Sequence, residues 1–151
     1  MPHLIYRCDE AVKEWVADLL PHVDDFGPAS AIGVASETRM LAGVVYHDYK
    51  PQYRTMQISV ASVSPHWCRP QIVRSLLAYP FEQLGVFRLW SVIEIENEKA
   101  LKFNKKLGFK REGVSAHIFG PGKHGAVTRL LKPSFERIYG GKDGQEFPPA
   151  A

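Results

Sequence analysis

The stretch NEKALKFNKKLGFKREG, residues 97–113, decides how this chain is read. Asn97 is a good N-cap, because its side-chain oxygen accepts one of the N–H groups that a helix leaves unpaired at its start. The residues that follow, rich in Glu, Lys, Ala and Leu, favour helix. Gly108 then provides the left-handed residue that ends one. From Phe109 the chain restarts as a strand, so the unit is a capped helix running into a strand.

Working upstream, VFRLWSVIEI (86–95) is rich in β-branched and aromatic residues and reads as a strand. Residues 71–84 carry Ile72, Val73, Leu76, Leu77, Phe81 and Leu84 at helical spacing and stop at Gly85. Pro80 stands inside this pattern, where its missing N–H and its ring bend or break a helix. TMQISVASVS (55–64) alternates apolar and polar residues as a strand does, and PHWCRP (65–70) ends it. Strand, helix and strand in succession call for parallel pairing of 55–64 with 86–95. AIGVAS (31–36) and MLAGVVYHDY (40–49), joined by a polar turn, read as an antiparallel hairpin. Gly43 within it marks a bulge or a close backbone approach.

The amino-terminal part adds a short strand at 3–7, an amphipathic helix at 9–20 with Asp9 as N-cap and Pro21 as its stop, and a loop at 24–30. Downstream, strands near 109–119 and 126–131 flank the turn GPGKHG, and 134–139 forms one more helical turn. An exposed strand edge after Ala126 permits a dimer, so monomer and homodimer both stay open. The order β-α-β-β-β-α-β-α-β-β predicts an α/β (α+β) chain with a mixed sheet and helices on both faces. Residues 1–139 are expected to form a single domain, and the tail 140–151, GGKDGQEFPPAA, is expected to be disordered.

At 151 residues and 17.0 kDa the chain is one domain's worth. No run approaches the 18 to 20 apolar residues of a membrane span, and no basic-then-apolar leader opens it. Two cysteines, Cys8 and Cys68, make neither a disulfide framework nor a metal cluster, so a cytoplasmic location is expected. The net charge of +3 hides an asymmetry. Residues 99–142, bounded by Lys99 and Lys142, hold eleven Lys and Arg against two acids, Glu112 and Glu136. Such a block suits a polyanion: a nucleotide cofactor, a nucleic acid or an acidic protein surface.

With this strand order, Asn97, Ala100, Leu107, Gly108, Phe109, Glu112 and Gly113 resemble the GNAT superfamily of acyl-CoA-dependent N-acetyltransferases. Their corresponding helix typically reads N-x-x-A-x-x-x-Y-x-x-x-G-F. The resemblance covers about residues 31–131 and implies a mainly antiparallel mixed sheet with a central parallel pair. It also implies acetyl-CoA as a substrate, bound in a V-shaped gap between 55–64 and 86–95, and a primary amine, on a small molecule or a protein, as acceptor. No metal is implied. Backbone groups at Ala61, Ser62 and Val63 would hold the acyl carbonyl. The diphosphate would meet Arg69, Gln71, Ile72 and Val73 at a helix start, and Asn97 and Asn104 would touch the cofactor.

Two family signatures are altered. Val63 and Pro65 match the V-x-P that precedes the family's glycine-rich phosphate loop, but its glycine positions fall on Gln71 and Val73. Side chains stand there where backbone should approach phosphate. The family's acid Tyr is replaced by Asn104, which is no proton donor in that sense. Glu94, near the carboxyl end of its strand, is the first candidate for general base, with Glu96 pointing the same way. His66 is the second; rim or ion-paired carboxylates are the competing reading. His47 and Asp48 read as exposed strand ends. Cys68, beside Arg69 and a helix start, has a setting that lowers a thiol pKa and makes it a minor nucleophile candidate. His66, His117 and His124 show no zinc spacing. The alternative reading is a nucleic-acid-modifying protein like the bacteriophage Mom-type enzymes, using the basic block, Arg88 and the aromatics Tyr46, Tyr49 and Trp67. A third is a catalytically inactive binding module.

Overall fold

The computed structural model describes residues 1–20, 23 and 25–140. Seven strands, β1 (His3–Ile5), β2 (Ser30–Ala35), β3 (Met40–Lys50), β4 (Thr55–Ser62), β5 (Arg88–Glu94), β6 (Lys110–Ser115) and β7 (Gly125–Leu131), form one sheet. Its order is β1-β2-β3-β4-β5-β7-β6, and β4–β5 is its one parallel pair. Four helices accompany it: α1 (Asp9–Leu19), α2 (Pro70–Ala78), α3 (Glu98–Lys106) and α4 (Lys132–Tyr139). The expected helix stop at Pro21 and the tail from 141 onward lie outside the described residues.

Strand alternation sorts the core into two layers. Val34, Val44, Met56, Leu89 and Leu130 share one face with Leu76, Phe81 and Phe135. Phe81 stacks on Phe135 at 4.8 Å between ring centroids. On the opposite face Ala31, Val45 and Ala61 meet Val12 and Val16 of α1. Helix α1 sits close because two glycines, Gly33 and Gly43, are paired in register beneath it. A Cβ on Gly43 would stand 2.6 Å from Val16 Cγ2, so this glycine marks a close approach. The bulge of this hairpin lies elsewhere, between Val34 and Ala35.

Three expectations are corrected. Cys8, not Asp9, holds the N-cap position of α1, and it provides no side-chain cap. The Asp9 carboxylate instead accepts the Ala31 N–H at 3.3 Å and ties the helix start to β2. The strand after Ala126 is not an edge: β7 lies between β5 and β6, and β6 is the outer strand. The helix expected at 71–84 ends as α2 at Ala78 and continues as a wide π turn over Tyr79–Gln83.

Pro80 causes that last difference. It has no N–H for the carbonyl of Leu76 four residues earlier, which an α-helix would use. The vacated carbonyl accepts the hydroxyl of Tyr46 at 2.7 Å. Tyr46 is only 1% exposed, so its hydroxyl needs a partner inside the protein. A gap in the helix ladder and a buried phenol thus satisfy each other.

This pairing predicts a double-mutant cycle. Tyr46→Phe should cost about 1–3 kcal/mol, because the Leu76 carbonyl is left buried and unpaired. In a Pro80→Ala background the new N–H can serve that carbonyl, and the same substitution should cost clearly less. Urea denaturation of the four proteins measures both steps; equal costs in the two backgrounds would refute the coupling.

Candidate active site

The parallel pair lasts from Thr55–Gln57 against Arg88–Trp90 and then opens. Beyond it β4 stays with β3 as far as Ser62, and β5 stays with β7 as far as Glu94. Each strand follows its outer neighbour, so the two part and leave a V-shaped gap. The Val63 N–H donates to Leu41 O at 2.9 Å, which turns it toward β3. By alternation Ala61 faces β3 as well, whereas Val60 and Ser62 present backbone to the gap. Of the three expected carbonyl-holding positions, Ser62 keeps the geometry; Ala61 and Val63 are corrected, since their backbone groups point at β3.

The chain leaves the gap through Ser64, whose hydroxyl accepts the His66 N–H at 3.2 Å and starts a 3-10 turn over Pro65–Trp67. Trp67 is buried and meets Phe103 of α3 edge-on at 5.7 Å, so the turn is fastened to the third helix. Helix α2 then begins at Pro70 without a side-chain cap. Pro70 has no N–H, and those of Gln71 and Ile72 take no partner among the described residues. The Val73 N–H is committed to Arg69 O at 2.9 Å. The side chains of Ile72 and Val73 are in the core, so neither side chain reaches an anion. What remains for a phosphate is two free N–H groups, the exposed Gln71, and the exposed Arg69, whose side chain is unpaired among the described residues. Burial pushes the Cys68 thiol pKa up, opposite to the direction a reactive thiolate needs. His66 is exposed and its imidazole has no partner among the described residues.

On the far rim Asn97 caps α3 as expected, accepting the Ala100 N–H at 3.1 Å. Its own N–H donates to Glu94 O at 2.9 Å, which joins the end of β5 to the start of α3. Glu94 is half-buried, and its carboxylate forms no ion pair among the described residues. Glu96 does not share its direction: the strand ends at Glu94, and Glu96 stands in the turn 3.8 Å from Lys123. Asn104 is buried, and its amide donates to Ser91 Oγ at 3.5 Å. Ser91 in turn bonds Thr128 at 2.8 Å. Ser91 is the first residue of β5 past the parallel pairing, so Asn104 sits at the vertex of the gap.

Other candidates fall away from the gap. Tyr46 and Trp67 are core residues, which removes two of the three aromatics expected to stack on bases. Arg88 and Arg129 both bind Glu112, whose carboxyl pKa is lowered chiefly by the Arg88 hydrogen bond. His117 and His124 fold a turn, each accepting a backbone N–H at Nδ1, from Gly122 at 2.8 Å and from His117 at 2.9 Å. The described residues contain no group of three or more His, Cys, Asp or Glu able to hold a metal. One residue was undervalued by the sequence. His47 is half-buried, bonded to Ser59 of β4 at 2.9 Å and packed on Phe26 at 5.1 Å. Burial lowers its pKa below the ordinary histidine value. Its one sequence signal is the alternation that puts odd-numbered residues of β3 under α1.

A mixed seven-stranded sheet, a parallel pair that opens after Gln57 and an Asn-capped helix closing on Gly108 define the GNAT N-acetyltransferase fold, and this chain has it. The spermidine/spermine N-acetyltransferase SpeG from Vibrio cholerae, solved with manganese ions, superimposes with a TM-score of 0.67 at 14% identity over 91% of this chain and 95% of that one. The ribosomal-protein-S5-alanine acetyltransferase from Vibrio fischeri gives 0.59 at 18% identity, covering 69% and 62%. In sequence the chain is similar to the uncharacterized N-acetyltransferase YoaA of Bacillus subtilis (strain 168), 27% identical over 82 residues. That match takes 52% of this chain and spans about half of the relative, 46%. No family model matches the chain. No described helix is long and apolar enough to cross a membrane.

Two predictions test the rim and the undervalued histidine. Asn97→Ala should cost about 1 kcal/mol of stability as a lost cap. For His47 the folded pKa lies below the unfolded one, so the unfolded chain binds the proton first. Its contribution to stability is complete above about pH 6.5 and is lost as pH falls toward the folded pKa. NMR titration of the ring should give a midpoint below 6.5, and His47→Gln should flatten the acid limb of stability; a midpoint at or above that value would refute the burial effect.

Proposed function

We propose that this protein transfers an acetyl group from acetyl-CoA to a primary amine by direct attack. One observation carries the reading: β4 and β5 part at the end of the sheet where the chain turns into the uncapped start of α2. Acetyl-CoA would enter between the strands, with its diphosphate on the N–H groups of Gln71 and Ile72 and beside Arg69. These residues fit an anion, although without the close backbone cradle that glycines provide. The backbone at Ser62 is aimed into the gap, where a donor would polarise the acyl carbonyl as charge develops on its oxygen.

The two faces of the sheet divide the work. Helices α2 and α3 occupy one face, on the side of Leu89 and Ser91. Glu94, like Trp90 and Val92, points to the other, the face that α1 covers farther along. An amine arriving there would meet the thioester through the gap. Nitrogen forms its bond to the acyl carbon as the carbon–sulfur bond breaks. Glu94 takes the amine proton, and the thiolate, with Asn104 rather than an acid beside it, is protonated from solvent. Polyamines and the alanine of a ribosomal protein are the first acceptors to try, because SpeG and the ribosomal-protein-S5-alanine acetyltransferase carry those substrates in their names.

Saturating acetyl-CoA should raise the melting temperature by roughly 5–10 °C, the shift for about 2.7 kcal/mol in a domain of this size. Arg69→Glu should weaken that binding about tenfold by turning attraction into repulsion. Glu94→Gln should lower kcat about a hundredfold with KM for acetyl-CoA unchanged. No shift at saturation would overturn the acetyl-CoA reading; an unaltered kcat would overturn only the role of Glu94.

A further inference from the structure

We infer that the chain has a second ligand site, for a multiply phosphorylated small molecule of nucleotide size, in the cleft between α3, β6 and α4. The cleft has a volume of about 550 Å³, which suits such a molecule. Lys105 of α3, Arg111 of β6 and Arg137 of α4 line it, three cations from three separate elements, and Lys110 of β6 is a fourth beside them. None of the three pairs with a carboxylate among the described residues, and no Asp or Glu lines the cleft. The contrast with the other face of the same strands is direct. There Arg88 and Arg129 are both answered by Glu112.

The floor is polar and the walls are apolar. Thr128 and Asn104 line the bottom at 3% and 8% exposure. The Asn104 amide donates to Ser91, and its side chain takes no other hydrogen bond among the described residues. Leu101 and Ile138 present hydrocarbon on either side, a surface for the flat ring of a base. The Arg111 side chain falls on the Thr128 face because the two residues are in register.

The cleft is held rigid. The Tyr139 hydroxyl donates to Leu107 O at 2.6 Å and ties α4 to the end of α3. Gly108, with φ of +107°, lets Ile138 Cδ1 come within 2.6 Å of where a Cβ would stand. Lys105 and Arg137 each occupy the last turn of a helix, where a cation offsets the negative end of the dipole. That accounts for two cations and leaves Arg111 without such a cause. Asn104 is shared with the gap, whereas Lys105, Arg111 and Arg137 are not among the residues placed around it, and the site does not depend on acetyl transfer.

Titration calorimetry of the full chain with ATP and, separately, with inorganic tripolyphosphate tests the site. ATP should bind with or without saturating acetyl-CoA and should weaken as salt is raised. Arg111→Gln and Arg137→Gln should each reduce its affinity about tenfold or more, the loss of a charge-assisted hydrogen bond. Both variants should keep their melting temperature and their affinity for acetyl-CoA. Tripolyphosphate binding as tightly as ATP would assign the site to a phosphate chain, and tighter ATP binding would assign it to a nucleotide; either supports the site. Absence of heat with both at millimolar concentration would overturn it. So would ATP displaced by acetyl-CoA and unaffected by the two variants, or DNA duplex binding that ATP does not compete with.

Discussion

The short parallel pairing of β4 with β5 governs the rest of the structure. A parallel pair needs a crossover, and α2 with its π turn provides it. Because each strand is held more extensively by its antiparallel neighbour, the pair comes apart once those neighbours diverge. The sheet thereby opens at its centre, where a ligand can reach both faces. Everything placed around the gap follows: the free N–H groups of α2 at one side, Glu94 and Asn97 at the other, and Asn104 at the vertex.

Polar groups in the interior stitch elements together at places where helices or strands would leave something unpaired. Tyr46 answers the carbonyl that Pro80 abandons, Tyr139 answers Leu107 beyond the last turn of α3, and Ser91 with Thr128 and Asn104 spans β5, β7 and α3. A buried donor or acceptor is costly alone and directional when matched, so such pairs favour one arrangement over its near neighbours. The three helices on that face are each fixed by at least one such bond.

Most of the fold was legible because its signals are local. The cap at Asn97, the stop at Gly108, the alternation in 55–64 and the apolar spacing in 71–84 each report on neighbours in sequence. The early end of α2 was legible in part: Pro80 is a local signal for a break, but the Tyr46 hydroxyl that serves the vacated Leu76 carbonyl lies thirty residues upstream. The phosphate end was only half legible. Counting residues to the family's glycine positions led to Val73, whereas its N–H is used by Arg69 and its side chain by the core. His47 was taken for an exposed end because nothing in its own stretch announces that Phe26 and Ser59 would enclose it. Cys68 is a related case: sequence shows the nearby Arg69 but not the burial that raises the thiol pKa.

The paired glycines beneath α1 constrain how this lineage can change. Gly43 is tight because Val16 fills the space a methyl would take, and Gly33 is crowded in the same way by Met40 and Val12. A side chain can be gained in the sheet only when one is given up on the helix or at Met40. Among homologues these positions should therefore vary in concert, with a larger residue at 43 accompanied by a smaller one at 16. Such correlated exchange would record the contact between α1 and the sheet in sequences too distant for identity to reveal it.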